Sequence, residues 1–200
     1  MTFIHPVPED EADGDVAELY GEDRQDMGYV ANYTKAFSHR PQVVPAWQQL
    51  AGTIRDGMDL RRYELATIAA ARRLRSSYCS LAHGKVIVDK GFLSPDELRH
   101  TVEDHRSAGL DDVDVAVMDL AEKVAADATS VTQDDIDRLR DLGCSDADVL
   151  DVILAAAARC FFSKVLDATG SQPDAAFLSV EAFDPALVEA LTVGRPIAGD

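Results

Sequence analysis

Residues 63–84 read Y-E-L-A-T-I-A-A-A-R-R-L-R-S-S-Y-C-S-L-A-H-G, and their spacing sets the fold class. Leu60, Tyr63, Leu65, Ala66, Ile68, Ala69 and Ala70 form a broad apolar face at helical spacing, and Asp59 before them suits an N-cap. A second helix is expected from Ser77 to Lys90, with Ser76 as its N-cap and Gly91 just past its end. Cys79 and His83 are four residues apart, which on a helix puts both on one face, a turn apart. Cys79 then lies in the first turn, where the positive end of the helix dipole favours a thiolate, the reactive form of the thiol. An imidazole at that spacing can accept the thiol proton. Glu64 stands fifteen residues before Cys79. In one unbroken helix the two would be about 22 Å apart, so they meet only if the chain turns back around Leu74–Ser76. If it does, Glu64 can orient His83 or relay its proton, directly or through a water.

Outward from this stretch the sequence reads as helix throughout. Val44, Trp47, Leu50, Ala51 and Ile54 repeat at helical spacing between Pro41 and Gly57. Ser94-Pro95-Asp96-Glu97 joins an N-cap serine, a proline at the first helical position and a capping-box glutamate. A long helix is expected from Asp112 to Thr129, with Val113, Val117, Leu120, Ala121 and Val124 facing the core. Thr132 opens a short helix closed by Gly143, and Ser145 opens a long one running through Val149, Ile153, Ala157 and Phe161 to Gly170. No stretch alternates as a strand would. The expected organisation is an acidic N-terminal arm over residues 1–26 with a short helix near Asp15–Tyr20, a helical domain over 27–171, and a tail over 172–200 that wraps or frays.

The chain has 200 residues and a formal net charge of −17, a balance that repels nucleic-acid backbones and anionic lipid. No signal peptide opens it and no apolar run would span a bilayer, so a cytoplasmic protein is expected. The three cysteines, Cys79, Cys144 and Cys160, suit neither a disulfide framework nor a zinc site. Cys79 and His83 offer two metal ligands and no third stands nearby, so neither a metal nor another cofactor is expected. Cys144, just before an N-cap serine, and Cys160, beside Phe161 and Phe162, read as packing residues.

Three blocks of the first half resemble a known family: Gly28-Tyr29-Val30-Ala31-Asn32, Arg62-Tyr63-Glu64-Leu65 and Tyr78-Cys79-Ser80-Leu81-Ala82-His83. In the second half Val131-Thr132-Gln133-Asp134-Asp135 and Phe161-Phe162-Ser163-Lys164-Val165-Leu166-Asp167 do the same. Over residues 28–180 the chain is similar to the carboxymuconolactone decarboxylase and alkylhydroperoxidase D-like superfamily, especially its peroxidase-related branch. The resemblance implies an all-α, alkylhydroperoxidase D-like helical bundle, a homo-oligomer, and reduction of hydroperoxides by a Cys-x-x-Cys pair with glutamate and histidine as proton relay. Glu64, Cys79 and His83 match the glutamate, the second cysteine and the histidine.

The chain departs from that pattern at Ser76, which replaces the first cysteine, and at Tyr78, where the archetype has a histidine. A disulfide within the motif is therefore excluded, and an oxidised Cys79 needs an external thiol reductant, or another thiol of the chain, to restore it. Ser76 and Tyr78 remain candidate site-lining residues. The expected activity is a single-cysteine peroxidase acting on a small hydroperoxide. Two alternatives stay open: a lyase or isomerase acting on a small acid or lactone through His83 and Glu64, and a non-catalytic, thiol-sensing oligomer.

Overall fold

A computed structural model describes residues 2–178 and 183–197. Residues 179–182 and 198–200, within the expected tail, lie outside the described residues. Eleven α-helices are described: α1 (Gly14–Met27), α2 (Asn32–Ala36), α3 (Val43–Asp56), α4 (Leu60–Arg73), α5 (Ser77–Asp89), α6 (Pro95–Asp104), α7 (Asp112–Asp127), α8 (Gln133–Asp141), α9 (Asp146–Thr169), α10 (Ala175–Leu178) and α11 (Pro185–Leu191). A 3₁₀ turn at Ala128–Ser130 follows α7, and no strand occurs among the described residues. No helix among them is long and apolar enough to cross a membrane.

Local signals place most of the helix starts. Ser94, Thr132 and Ser145 each form a reciprocal capping box, with Glu97, Asp135 and Asp148 respectively. Asp59 caps α4 by accepting from Arg62 N–H at 3.0 Å.

Helix α4 is the centre of the bundle, packed against α5, α7 and α9. Every residue from Tyr63 to Ala71 is buried, so the expected broad face is burial all round. Alanines at 66, 69, 70 and 71 let neighbouring backbones approach closely, and that same enclosure takes Glu64 and Thr67 into the interior. The core continues through Leu81, Ile87, Val117, Leu120, Val149 and Val152. A second cluster joins Leu19, Phe37, Val44, Trp47, Ala71, Tyr78, Cys79, Phe162 and Leu166.

The reversal between α4 and α5 falls where the site requires it. Arg75 takes φ 60°, a left-handed conformation that costs an ordinary residue about 1–2 kcal/mol. Ser76 N–H donates back to the Ala71 carbonyl at 2.9 Å, closing the turn. The C-terminal segment packs on it: a Cβ at Gly194 would stand 1.8 Å from the Arg75 carbonyl oxygen, so only glycine fits there. Ser77 Oγ accepts from Gly194 N–H and donates to the Arg195 carbonyl, both at 3.1 Å.

Both ends of the chain carry more helix than expected. Helix α1 runs to Met27, past the expected end of the arm, and buries Leu19 and Tyr20 against the chain itself. Tyr20 Oη donates to the Val7 carbonyl at 2.9 Å. In the tail, Asp184 accepts from Leu187 N–H at 2.8 Å and Pro185 takes the first position, so α11 is built by ordinary start signals.

Candidate functional site around Cys79

Helix α5 begins at Ser77, which puts Cys79 at its third position, 1% exposed. Ser76 occupies the N-cap but its hydroxyl does not cap the helix. That hydroxyl is buried, lies toward Asp167, and makes no hydrogen bond of ordinary length to Cys79 or to any other group among the described residues. Burial pushes the Asp167 carboxyl up, with the Ser76 hydroxyl pulling the other way.

The turn at Leu74–Ser76 brings Glu64 and His83 together: His83 Nδ1 lies 2.6 Å from Glu64 Oε2. Thr67 Oγ1 stands 3.3 Å from the same nitrogen while donating to the carbonyls of Tyr63 and Glu64. A carboxylate at Nδ1 assigns the ring proton there and leaves Nε2 as the free acceptor. Burial holds His83 below its ordinary pKa and the charge of Arg159 lowers it further, while Glu64 works against both. The neutral ring is thus preferred, a base positioned by a carboxylate. The Tyr63 ring meets the imidazole edge-on, with centroids 6.4 Å apart.

No hydrogen bond joins Cys79 to His83, although the two share a helix face as expected. The polar group on Cys79 Sγ is Arg159, whose Nη1 stands 3.8 Å away. Arg159 comes from the middle of α9, is 5% exposed, and lies 5.6 Å from the Trp47 ring centroid and 5.7 Å from that of Phe162. Those two rings stack on each other at 4.6 Å. Sequence reasoning about the Cys79 motif did not reach Arg159. The signal was present in Ala155-Ala156-Ala157-Ala158-Arg159-Cys160-Phe161-Phe162, a lone charge inside an apolar helix.

Tyr78 is buried beside Cys79 in sequence, but its hydroxyl is committed elsewhere. It donates to Asp174 and accepts from Tyr33 N–H at 3.2 Å. Asp174 also accepts from Asn32 N–H at 2.8 Å, so Tyr78 ties α5 to α2 and to the chain beyond α9. Burial and the Asp174 carboxylate hold the phenol well above its ordinary pKa. Cys79, Cys144 and Cys160 are all free thiols. Burial raises both Cys144 and Cys160, which disfavours either as a nucleophile.

No protein-family model and no curated protein matches the chain. Solved structures do. An uncharacterised peroxidase-related protein from Ralstonia eutropha JMP134, with an alkylhydroperoxidase AhpD core, superposes with a TM-score of 0.75 at 23% identity, over 86% of this chain and 93% of its own. An uncharacterised peroxidase-related protein from Silicibacter sp. TM1040 gives 0.73 at 20% identity, over 88% of this chain and 91% of its own. The debrominase Bmp8 in complex with 2,3,4-tribromopyrrole gives 0.74 at 15% identity, over 95% of this chain and 98% of its own. The chain therefore has the all-α, alkylhydroperoxidase D-like fold.

Proposed function

We propose that this protein is a thiol-dependent oxidoreductase that reduces small hydroperoxides through Cys79 alone. The observation that carries the reading is the Glu64–His83 pair, closed at 2.6 Å one helical turn from a first-turn cysteine. That is a nucleophile, a base and a group orienting the base. The fold shared with peroxidase-related proteins supports the same class of chemistry.

In the proposed cycle the Cys79 proton passes to His83 Nε2 through water or the bound substrate. The sulfur anion attacks the outer peroxide oxygen, the O–O bond breaks, and sulfur is oxidised to a sulfenic acid. The leaving alkoxide takes the proton back from His83 and departs as alcohol. Ser76 offers no second thiol, so an external thiol attacks the sulfenic acid and releases water. A second external thiol then frees Cys79 and leaves as disulfide. The sum is one hydroperoxide and two thiols giving alcohol, water and one disulfide.

The test is peroxide-dependent oxidation of a panel of small thiols and thioredoxin-type donors by wild type, Cys79→Ser and His83→Ala. Both variants are expected to lose turnover. If Cys79→Ser keeps it while His83→Ala loses it, acid–base chemistry replaces this reading. If wild type turns over no hydroperoxide with any donor, the reading is wrong.

A further inference from the structure

Arg159 is a buried guanidinium without a carboxylate partner among the described residues. Its Nη1 reaches Cys79 Sγ, and its Nε, also buried, has no hydrogen-bond partner. Burying a cation is costly unless an anion accompanies it. Trp47 and Phe162 hold the guanidinium by their ring faces but bring no charge to neutralise it. Glu64 is occupied by His83.

We propose that Arg159 is the counter-charge of a sulfur anion at Cys79, so that Arg159, and not His83, is the group that directly sustains the reactive thiolate. The ionisable groups around the sulfur and the guanidinium are few. Helix α4 brings Tyr63, whose neutral hydroxyl bonds Arg159, and Glu64, α5 brings Tyr78 and His83, and α9 brings Arg159 itself, while α3 contributes only the uncharged Trp47 ring. Arg159 is the one fixed cation among them. A cation in direct contact favours the charged form of an acid, and it does so most where water is excluded. The division of labour follows: Arg159 holds the sulfur charge, and the neutral His83, oriented by Glu64, is left to move the proton.

The experiment is a titration of thiolate ultraviolet absorbance in wild type, Arg159→Met, Arg159→Lys and His83→Asn, each against its own Cys79→Ser blank. It needs no peroxide, so it stands apart from the hydroperoxide reading. Arg159→Met is expected to lose thiolate at pH 7 by about tenfold or more, and Arg159→Lys to retain most of it. His83→Asn is expected to change it less than about twofold. If Arg159→Met titrates like wild type, or His83→Asn loses as much, the proposal fails. Should Arg159→Met not fold, wild type alone decides. Its ratio of alkylation rates with anionic iodoacetate over neutral iodoacetamide is expected several-fold above that of free cysteine, and an equal ratio overturns the proposal.

Discussion

Two histidine–carboxylate groups stand out among the described residues, and they differ in what remains unbonded. His83 meets Glu64 beside Cys79. His105, 4% exposed at the end of α6, meets Asp119 Oδ1 at 2.9 Å and Glu122 Oε1 at 3.8 Å on α7. The His105 carboxylates are also clamped by arginines. Arg138 Nη1 lies 2.7 Å from Asp119 Oδ2, and Arg106 pairs with Asp119 and, at 3.6 Å, with Glu122. Burial pushes the Asp119 carboxyl up, but the bonds from Arg138 and His105 and the charge of Arg106 outweigh it and hold it below the usual range. Every charge there is matched by another. Around Cys79 the carboxylate has one imidazole, and the nearby guanidinium has no carboxylate partner among the described residues. Residue type is the same in both places. On the proposed reading, unmatched valence is what distinguishes the candidate site from a clasp.

The largest effect separates the two histidines. His83→Ala removes a positioned base and is expected to lower turnover about 100- to 10,000-fold, and also to cost about 1–3 kcal/mol of stability, because the buried Glu64 carboxylate loses its partner. His105→Ala is expected to leave turnover within about twofold and to cost about 1–3 kcal/mol of stability, as a buried bonded group is lost. Steady-state kinetics and thermal melts on both variants read this directly. Equal kinetic losses would end the distinction.

Next in size is the carboxylate exchange. Asp119→Asn is expected to cost about 1–3 kcal/mol, since charge-assisted bonds from two arginines weaken together. Glu64→Gln keeps an acceptor for His83 Nδ1 and is expected to cost less than about 1 kcal/mol while slowing turnover. Denaturant midpoints at constant slope compare the two.

A smaller effect lies in pH. His83 is held below its ordinary value by burial and then by Arg159, with Glu64 opposing. The unfolded chain takes up that proton near about pH 6.5 and the folded chain only at lower pH. Between those values the folded protein binds fewer protons, so the stability linked to a neutral His83 is complete above about pH 6.5 and declines as pH falls. The acid limb of kcat/KM is accordingly expected below that pH. Glu64→Gln removes the group that raises His83, so the limb moves further down. Arg159→Met removes one that lowers it, so the limb moves up. Movement of both limbs in the same direction would break the account of the pair.

These contrasts also mark how far the sequence could be read. Helix starts such as Ser94-Pro95-Asp96-Glu97 were legible because a cap is a local bond pattern. The Glu64–His83 pair was legible only on condition of a reversal at Leu74–Ser76. The structure meets that condition by an arginine in the left-handed region, which no residue type at 75 announces. Asp184-Pro185 carried an equally ordinary start signal inside a stretch read as tail. Arg159 escaped because its meaning depends on α3 and α5 standing beside α9, a packing fact without a local signature. The same holds for Tyr78, whose partner Asp174 lies 96 residues away.

The smallest expected effect is the response to zinc, and it tests the clasp itself. His105, Asp119 and Glu122 bring ligand atoms within 4.8 Å of one another, a spacing that by itself fits a metal. A zinc ion there would have to displace Arg106 and Arg138 from carboxylates they already neutralise. Wild type is therefore expected to melt within about 1 °C of its own value with and without about 100 μM zinc, since a ligand stabilises only as far as it binds the folded state. Arg106→Met combined with Arg138→Met leaves the same three ligands with unmatched negative charge. That variant is expected to melt lower than wild type and to regain about 2–4 °C with zinc, the shift of roughly 1 kcal/mol in a chain of this size. If wild type gains as much from zinc as the variant does, the arginines do not close the group, and matched charge is no longer what separates His105 from His83.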